Sequence, residues 1–187
     1  MQGERRAVVL LLLGVILWST SGLLIKESSL GALALVGGRS ALAALVLAAY
    51  VRKPHWTWSL PQVGGALALA TTYNLFVVAT QLTSAASAIL LQYTAPLWVA
   101  LFGIWYLRER PHTVDYVSMG LIAVGMLLFF GDKLTGSALL GNLLAALSGI
   151  TMAWMTLFLR KQKDGSPYET VLLGNVSRSV RDAARVY

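Results

Sequence analysis

The sequence predicts an all-α protein, a polytopic bundle of transmembrane helices, and three observations carry that reading. The first is scarcity of charge: 57% of residues are hydrophobic and 12% charged, where soluble domains run at about 25% charged. A soluble fold with so little charge could not cover its own surface. The second is a set of six apolar runs, each close to the ~20 residues that cross ~30 Å of hydrocarbon as a helix. The third is the placement of lysine and arginine in alternate gaps between those runs. Helix is preferred to strand because an open sheet leaves backbone groups unsatisfied in lipid, and barrel strands would alternate polar with apolar residues.

Segment one is "AVVLLLLGVILWSTSGLLI", Ala7 to Ile25. Its start is basic, but the apolar stretch exceeds the ~7–15 residues of a signal-peptide core and no small-residue cleavage site follows, so it is read as a retained helix. Segment two runs from about Leu30 to Val51 and carries Arg39. Segment three spans about Leu60 to Gln81, segment four Ala85 to Leu107, segment five Tyr116 to Phe130, and segment six Leu139 to Leu159. Arg5, Arg6, Arg52, Lys53, Arg108, Arg110, Arg160, Lys161 and Lys163 fall on one side of such a bundle, against only Lys26 and Lys133 on the other. Nine against two places the N-terminus in the cytoplasm. The net charge of +7 therefore reflects membrane orientation. No clustered basic face of the kind that binds nucleic acid is present. The chain has no cysteine, which removes disulfides and thiolate metal sites.

Segment six resembles segment one. "GVILWSTSGLLIK", Gly14 to Lys26, and "GITMAWMTLFLRK", Gly149 to Lys161, both begin at glycine, carry a central tryptophan and end in lysine. A repeat unit of five helices reverses orientation, so the second copy would be inverted, an architecture that recurs in secondary transporters. The expected organisation is a first five-helix repeat over residues 1–131, the first helix of a second repeat over 132–165, and an incomplete or non-native tail over 166–187. The tail reading rests on "SRSVRDAARVY" from Ser177, which no spanning helix would tolerate at about 2.5–3.5 kcal/mol per central charge. It predicts a fragment or a frameshifted reading frame.

The residues that could carry chemistry lie within the spans. In segment four, "LQYTAPLW" sets Gln92, Tyr93, Thr94 and Pro96 amid hydrocarbon. Inside a helix Pro96 would orphan the carbonyl of Gln92 one turn earlier, on the same face as the Gln92 amide. Two readings are open: a packing kink repaired by Thr94, or the wall of a cavity, and the neighbouring polar groups favour the cavity. Segment three contributes Tyr73 and Asn74, and segment one Trp18. The nearby serines and threonines read as helix–helix glue. Arg39 is the single ionised side chain well inside a segment. It is expected to face the bundle interior, unless the helix starts later and the side chain snorkels outward. Glu109, between two arginines in "LRERP", reads as a solvated helix end, with pairing to a neighbouring basic residue open.

"SAASAILLQYTAPLWVALFGIWYLRERP" followed by "VDYVSMGLIAVGMLLFFGD" resembles the EamA-type permeases of the drug/metabolite transporter superfamily. "WSTSGLLIK" and Arg39 fit the same pattern. The resemblance implies a permease of two inverted five-helix repeats in the plasma (inner) membrane, moving small metabolites or drugs by efflux or exchange without ATP. Its substrate cavity would map onto Trp18, Tyr73, Asn74, Gln92 and Pro96; Arg39 and Tyr93 join them from the residue reading. No cofactor and no metal are implied. An enzyme is disfavoured because His55 and His112 lie in loops and "STSG" lacks a general base. The alternative function is a non-transporting half that acts only by pairing with a second copy or another chain.

Overall fold

A computed structural model of the chain describes residues 2–29, 31–51, 53–109, 112–130, 138–162 and 166–183. Side chains at 2–5, 18, 21–23, 32, 33, 127, 129, 130 and 177–183 lie outside that description. So do Arg52, Arg110, Lys133 and Lys163 from the charge pattern. The described residues are helical, in the order α1 (Gln2–Glu27), α2 (Ala32–Val51), α3 (Leu60–Leu82), α4 (Ala85–Gln92), α5 (Ala95–Tyr106), α6 (Thr113–Phe130), α7 (Leu139–Lys161) and α8 (Pro167–Ala183).

Four spans are long and apolar enough to cross a membrane: Ala34–Val51, Leu60–Leu82, Ala85–Tyr106 and Leu139–Lys161. The third is α4 and α5 together. Segments one and five, expected as full spans, carry shorter apolar stretches among the described residues, Arg6–Leu17 and Thr113–Met126. The α1 helix itself, 26 residues, is about 39 Å long at ~1.5 Å per residue.

Helices α3 and α7 form the centre and run antiparallel. Near one end Gly141 of α7 sits against the backbone of Leu82 and Thr83, and Thr83 Oγ1 donates to Asn142 Oδ1 at 2.9 Å. Further along, Thr72 Oγ1 donates to Thr151 Oγ1 at 2.8 Å. Around them Ile25, Val36, Phe76, Val77, Ala79, Ala88 and Ala145 form a buried apolar cluster. α4 and α5 pack on α7, while α2 and α8 pack together beside α3. The small core residues follow from membrane physics: with lipid as apolar as leucine, close backbone approach is what brings helices together.

The loops are tied by side chains. Lys26 Nζ donates to the carbonyls of Thr80, Gln81 and Thr83 at 3.4, 3.3 and 3.0 Å, a cation at the C-terminal end of α3 where the helix dipole favours one. Gln62 Oε1 accepts from Thr57 N and Trp58 N, folding the α2–α3 connection onto the start of α3. The early part of the 166–187 segment is helical and packed: Glu169 is buried, accepting from His55 N at 2.6 Å and from Ser166 N at 3.2 Å. Gly174 lies against Ala66 of α3.

Candidate functional site

Segment four is two helices rather than one kinked helix. α4 ends at Gln92 and α5 begins at Ala95, so Pro96 occupies the first turn of a new helix. There its missing N–H costs nothing, because first-turn donors have no partner in the helix anyway. The turn closes on itself. Tyr93 N donates to Ile89 O at 3.0 Å and Thr94 N to Leu91 O at 3.2 Å. Thr94 Oγ1 donates to the same Leu91 carbonyl at 2.7 Å and accepts from Trp98 Nε1 at 3.2 Å. Across from it stands Gly149 of α7, where an added Cβ would lie 2.7 Å from Thr94 Oγ1 and 3.1 Å from the Gln92 and Leu91 carbonyl oxygens. The interrupted backbone is thus seated against a neighbouring helix and repaired by Thr94.

Among the described side chains singled out from sequence, Gln92, Tyr93 and Pro96 lie where α4 and α5 meet α7, and Arg39 meets Tyr73 between α2 and α3. Gln92 is buried, 5% exposed, at the seat of α4 on α7. Tyr93, 53% exposed, and Pro96 line a groove between α5, α6 and α7. Between α2 and α3, the guanidinium carbon of Arg39 lies 4.0 Å from the Tyr73 ring centroid. α2 begins at Ala32, before Arg39, so the arginine belongs to the helix, about 10 Å from its start at ~1.5 Å per residue. Arg39 and Asn74 are exposed and Tyr73 half-buried. A cation over a ring face gains more where water is scarce, and this pair sits within the spans of α2 and α3. Arg39 makes no ion pair among the described residues. Trp18 belongs to α1, but its side chain lies outside the described residues.

A third feature was not anticipated. Trp98 stacks on Phe102 at 5.7 Å between centroids, Phe102 on Trp154 at 5.1 Å, and Tyr106 meets Trp154 and Phe158 edge-on at 5.5 Å each. Lys161 Nζ ends the row, 3.9 Å over the Tyr106 ring. The signal was present: Trp98, Phe102 and Tyr106 are four apart, as are Trp154 and Phe158, and such positions share a helix face. The open pairing of Glu109 is resolved as well, with Arg160 Nη2 donating to Glu109 Oε2 at 2.5 Å.

Compared with known proteins, the chain matches a family model, that of the EamA-like transporter family, over residues 5–131. A search of curated proteins and of solved structures found no match.

Proposed function

The chain belongs to the EamA-like transporter family, and from that premise we propose that this multi-pass membrane protein is a secondary transporter of small metabolites or drugs, working by efflux or exchange. The observation that carries the reading is Arg39, an ionised side chain exposed inside an apolar span and held over Tyr73 at 4.0 Å. A charge at that depth is costly in lipid, and such residues mark substrate or ion pathways. Arg39, Tyr73 and Asn74 would together receive the polar end of a solute: the guanidinium offers donors to a carboxylate or phosphate, Asn74 offers both donor and acceptor, and the ring sets the orientation. Gln92 would fix α4 on α7 instead of touching solute.

The charge pattern supports a cytoplasmic N-terminus in the plasma (inner) membrane. The end of the family match at residue 131 supports the proposed first repeat, and the likeness of the two glycine-to-lysine stretches supports α7 as the start of an inverted second one. Exposure of Arg39 and Asn74 favours one further reading, in which a second copy of the chain completes the same site.

Counterflow into proteoliposomes, across a panel of radiolabelled amino acids and organic acids, tests the proposal. At least one solute should exchange faster than in empty liposomes. Arg39→Gln should slow that exchange about tenfold, roughly the worth of one charge-assisted hydrogen bond. Exchange unaffected by Arg39→Gln would overturn the assignment, and exchange by no carboxylate or amine solute would overturn the transport reading. Mixing tagged and untagged copies before reconstitution separates one chain from two.

A further inference from the structure

The groove between α5, α6 and α7, about 880 Å³ in volume, plays no part in the solute site just proposed. Its size is within the ~300–1,000 Å³ of small-molecule sites. α5 and α6 are consecutive, yet they hardly touch, and the groove is the space left between them. Its walls are apolar, with Val99 and Ala100 on α5, Met119 and Ile122 on α6, and Met152 on α7. In a membrane such a slot does not stay empty, because wall atoms facing a void forfeit their dispersion contacts.

Length and charge identify the occupant. From Pro96 to Tyr106 the α5 wall rises about 15 Å, half of the ~30 Å hydrocarbon thickness and so the depth of one leaflet. The groove therefore runs from the α4–α5 break to the membrane surface on the side of the α5–α6 loop. At that mouth stand Glu109, His112, Asp115 and Arg160. Arg160 Nη2 engages Glu109 Oε2 at 2.5 Å, and the two side chains are 52% and 54% exposed. Asp115 is exposed, and its Oδ2 accepts from His112 N at 2.7 Å. One guanidinium with several unused donors thus pairs with one carboxylate, and a second, Asp115, lines the same groove. That arrangement complements a head bearing both a phosphate and an ammonium group. Among the described residues that line the groove, a purely anionic head would meet two carboxylates and one guanidinium.

We infer that this groove is a lipid site, seating one acyl chain of a zwitterionic aminophospholipid from the adjoining leaflet. The phosphate lies at Arg160 and the amine at Glu109 and Asp115. The inference rests on α5–α7 spanning the membrane and on nothing about the solute.

The test uses the full chain in phosphatidylcholine nanodiscs doped with phosphatidylethanolamine carrying a photoreactive diazirine in its acyl chain, with crosslinks mapped by peptide mass spectrometry. Labelling should saturate near one lipid per chain and concentrate on Val99, Ala100, Met119 and Met152. Unlabelled phosphatidylethanolamine should compete about tenfold better than phosphatidylglycerol, the worth of one charge-assisted contact. The double variant Glu109→Gln, Asp115→Asn should erase that preference. Ala100→Trp should abolish the saturable component. Ser118→Trp, on the weakly packed α6, should do the same by filling the groove from the other wall, which guards against a folding defect in either variant. Labelling that rises linearly with lipid and spreads over outward residues such as Leu101 and Leu121 would overturn the inference. So would labelling unchanged in both tryptophan variants, or crosslinks joining two copies of the chain across the groove.

Discussion

Adding a single methyl group at Gly149 tests how the interrupted helix is held. Its Cβ would stand 2.7 Å from Thr94 Oγ1 and 3.1 Å from two carbonyl oxygens. None of these can swing aside: the carbonyls are backbone, and the Thr94 hydroxyl is fixed by Leu91 O at 2.7 Å and Trp98 Nε1 at 3.2 Å. α7 must therefore back away from the α4–α5 break, and overpacking of this kind costs about 1–3 kcal/mol. Replacing a helical glycine by alanine also gains up to ~1 kcal/mol in helix propensity, which would mask part of the cost. Gly125→Ala on α6 supplies the reference, since a Cβ there meets nothing within 4 Å and shares the propensity gain. Unfolding of both variants by dodecyl sulfate in mixed micelles, followed by tryptophan fluorescence, should place Gly149→Ala about 1–3 kcal/mol below Gly125→Ala. Equal stability within about 0.5 kcal/mol would refute the close seat of α7 on the break.

Three further outcomes follow from the loop ties. Glu169→Ala leaves the His55 and Ser166 amides unpaired and should cost about 1–3 kcal/mol, with faster hydrogen exchange at both amides as the local readout. Lys26→Met removes the cation shared by three carbonyls at the end of α3. It should cost about 0.3–1 kcal/mol, and less in high salt. Glu109→Gln breaks a half-exposed ion pair, so unfolding measurements should register less than about 1 kcal/mol.

Helix positions were readable from sequence because lipid imposes length and apolarity on every span, and segment boundaries agree with the helices to within a few residues. The break at Gln92–Thr94 was only half legible. Proline and its polar neighbours marked an irregular place, but whether Pro96 interrupts one helix or opens another depends on Thr94 and on Gly149, 55 residues farther along α7. The partnership of Arg39 with Tyr73 and the row from Trp98 to Phe158 join different helices. Periodicity gives the face of each helix but not which faces meet. Packing of Pro167 to Val176 on α2 and α3 was hidden for a similar reason: the charges after Ser177 argue against a spanning helix and say nothing about one that docks through Glu169 and Gly174.

The central claim is that Arg39, Tyr73 and Asn74 border water rather than lipid. A chain without cysteine allows this to be measured one position at a time, with a membrane-impermeant maleimide on proteoliposomes. Asn74→Cys should react readily and be protected by any solute that the counterflow panel identifies. Leu121→Cys on α6, 69% exposed along an apolar helix, should react slowly. If Asn74→Cys is as unreactive as Leu121→Cys, position 74 meets acyl chains and the account of transport is contradicted.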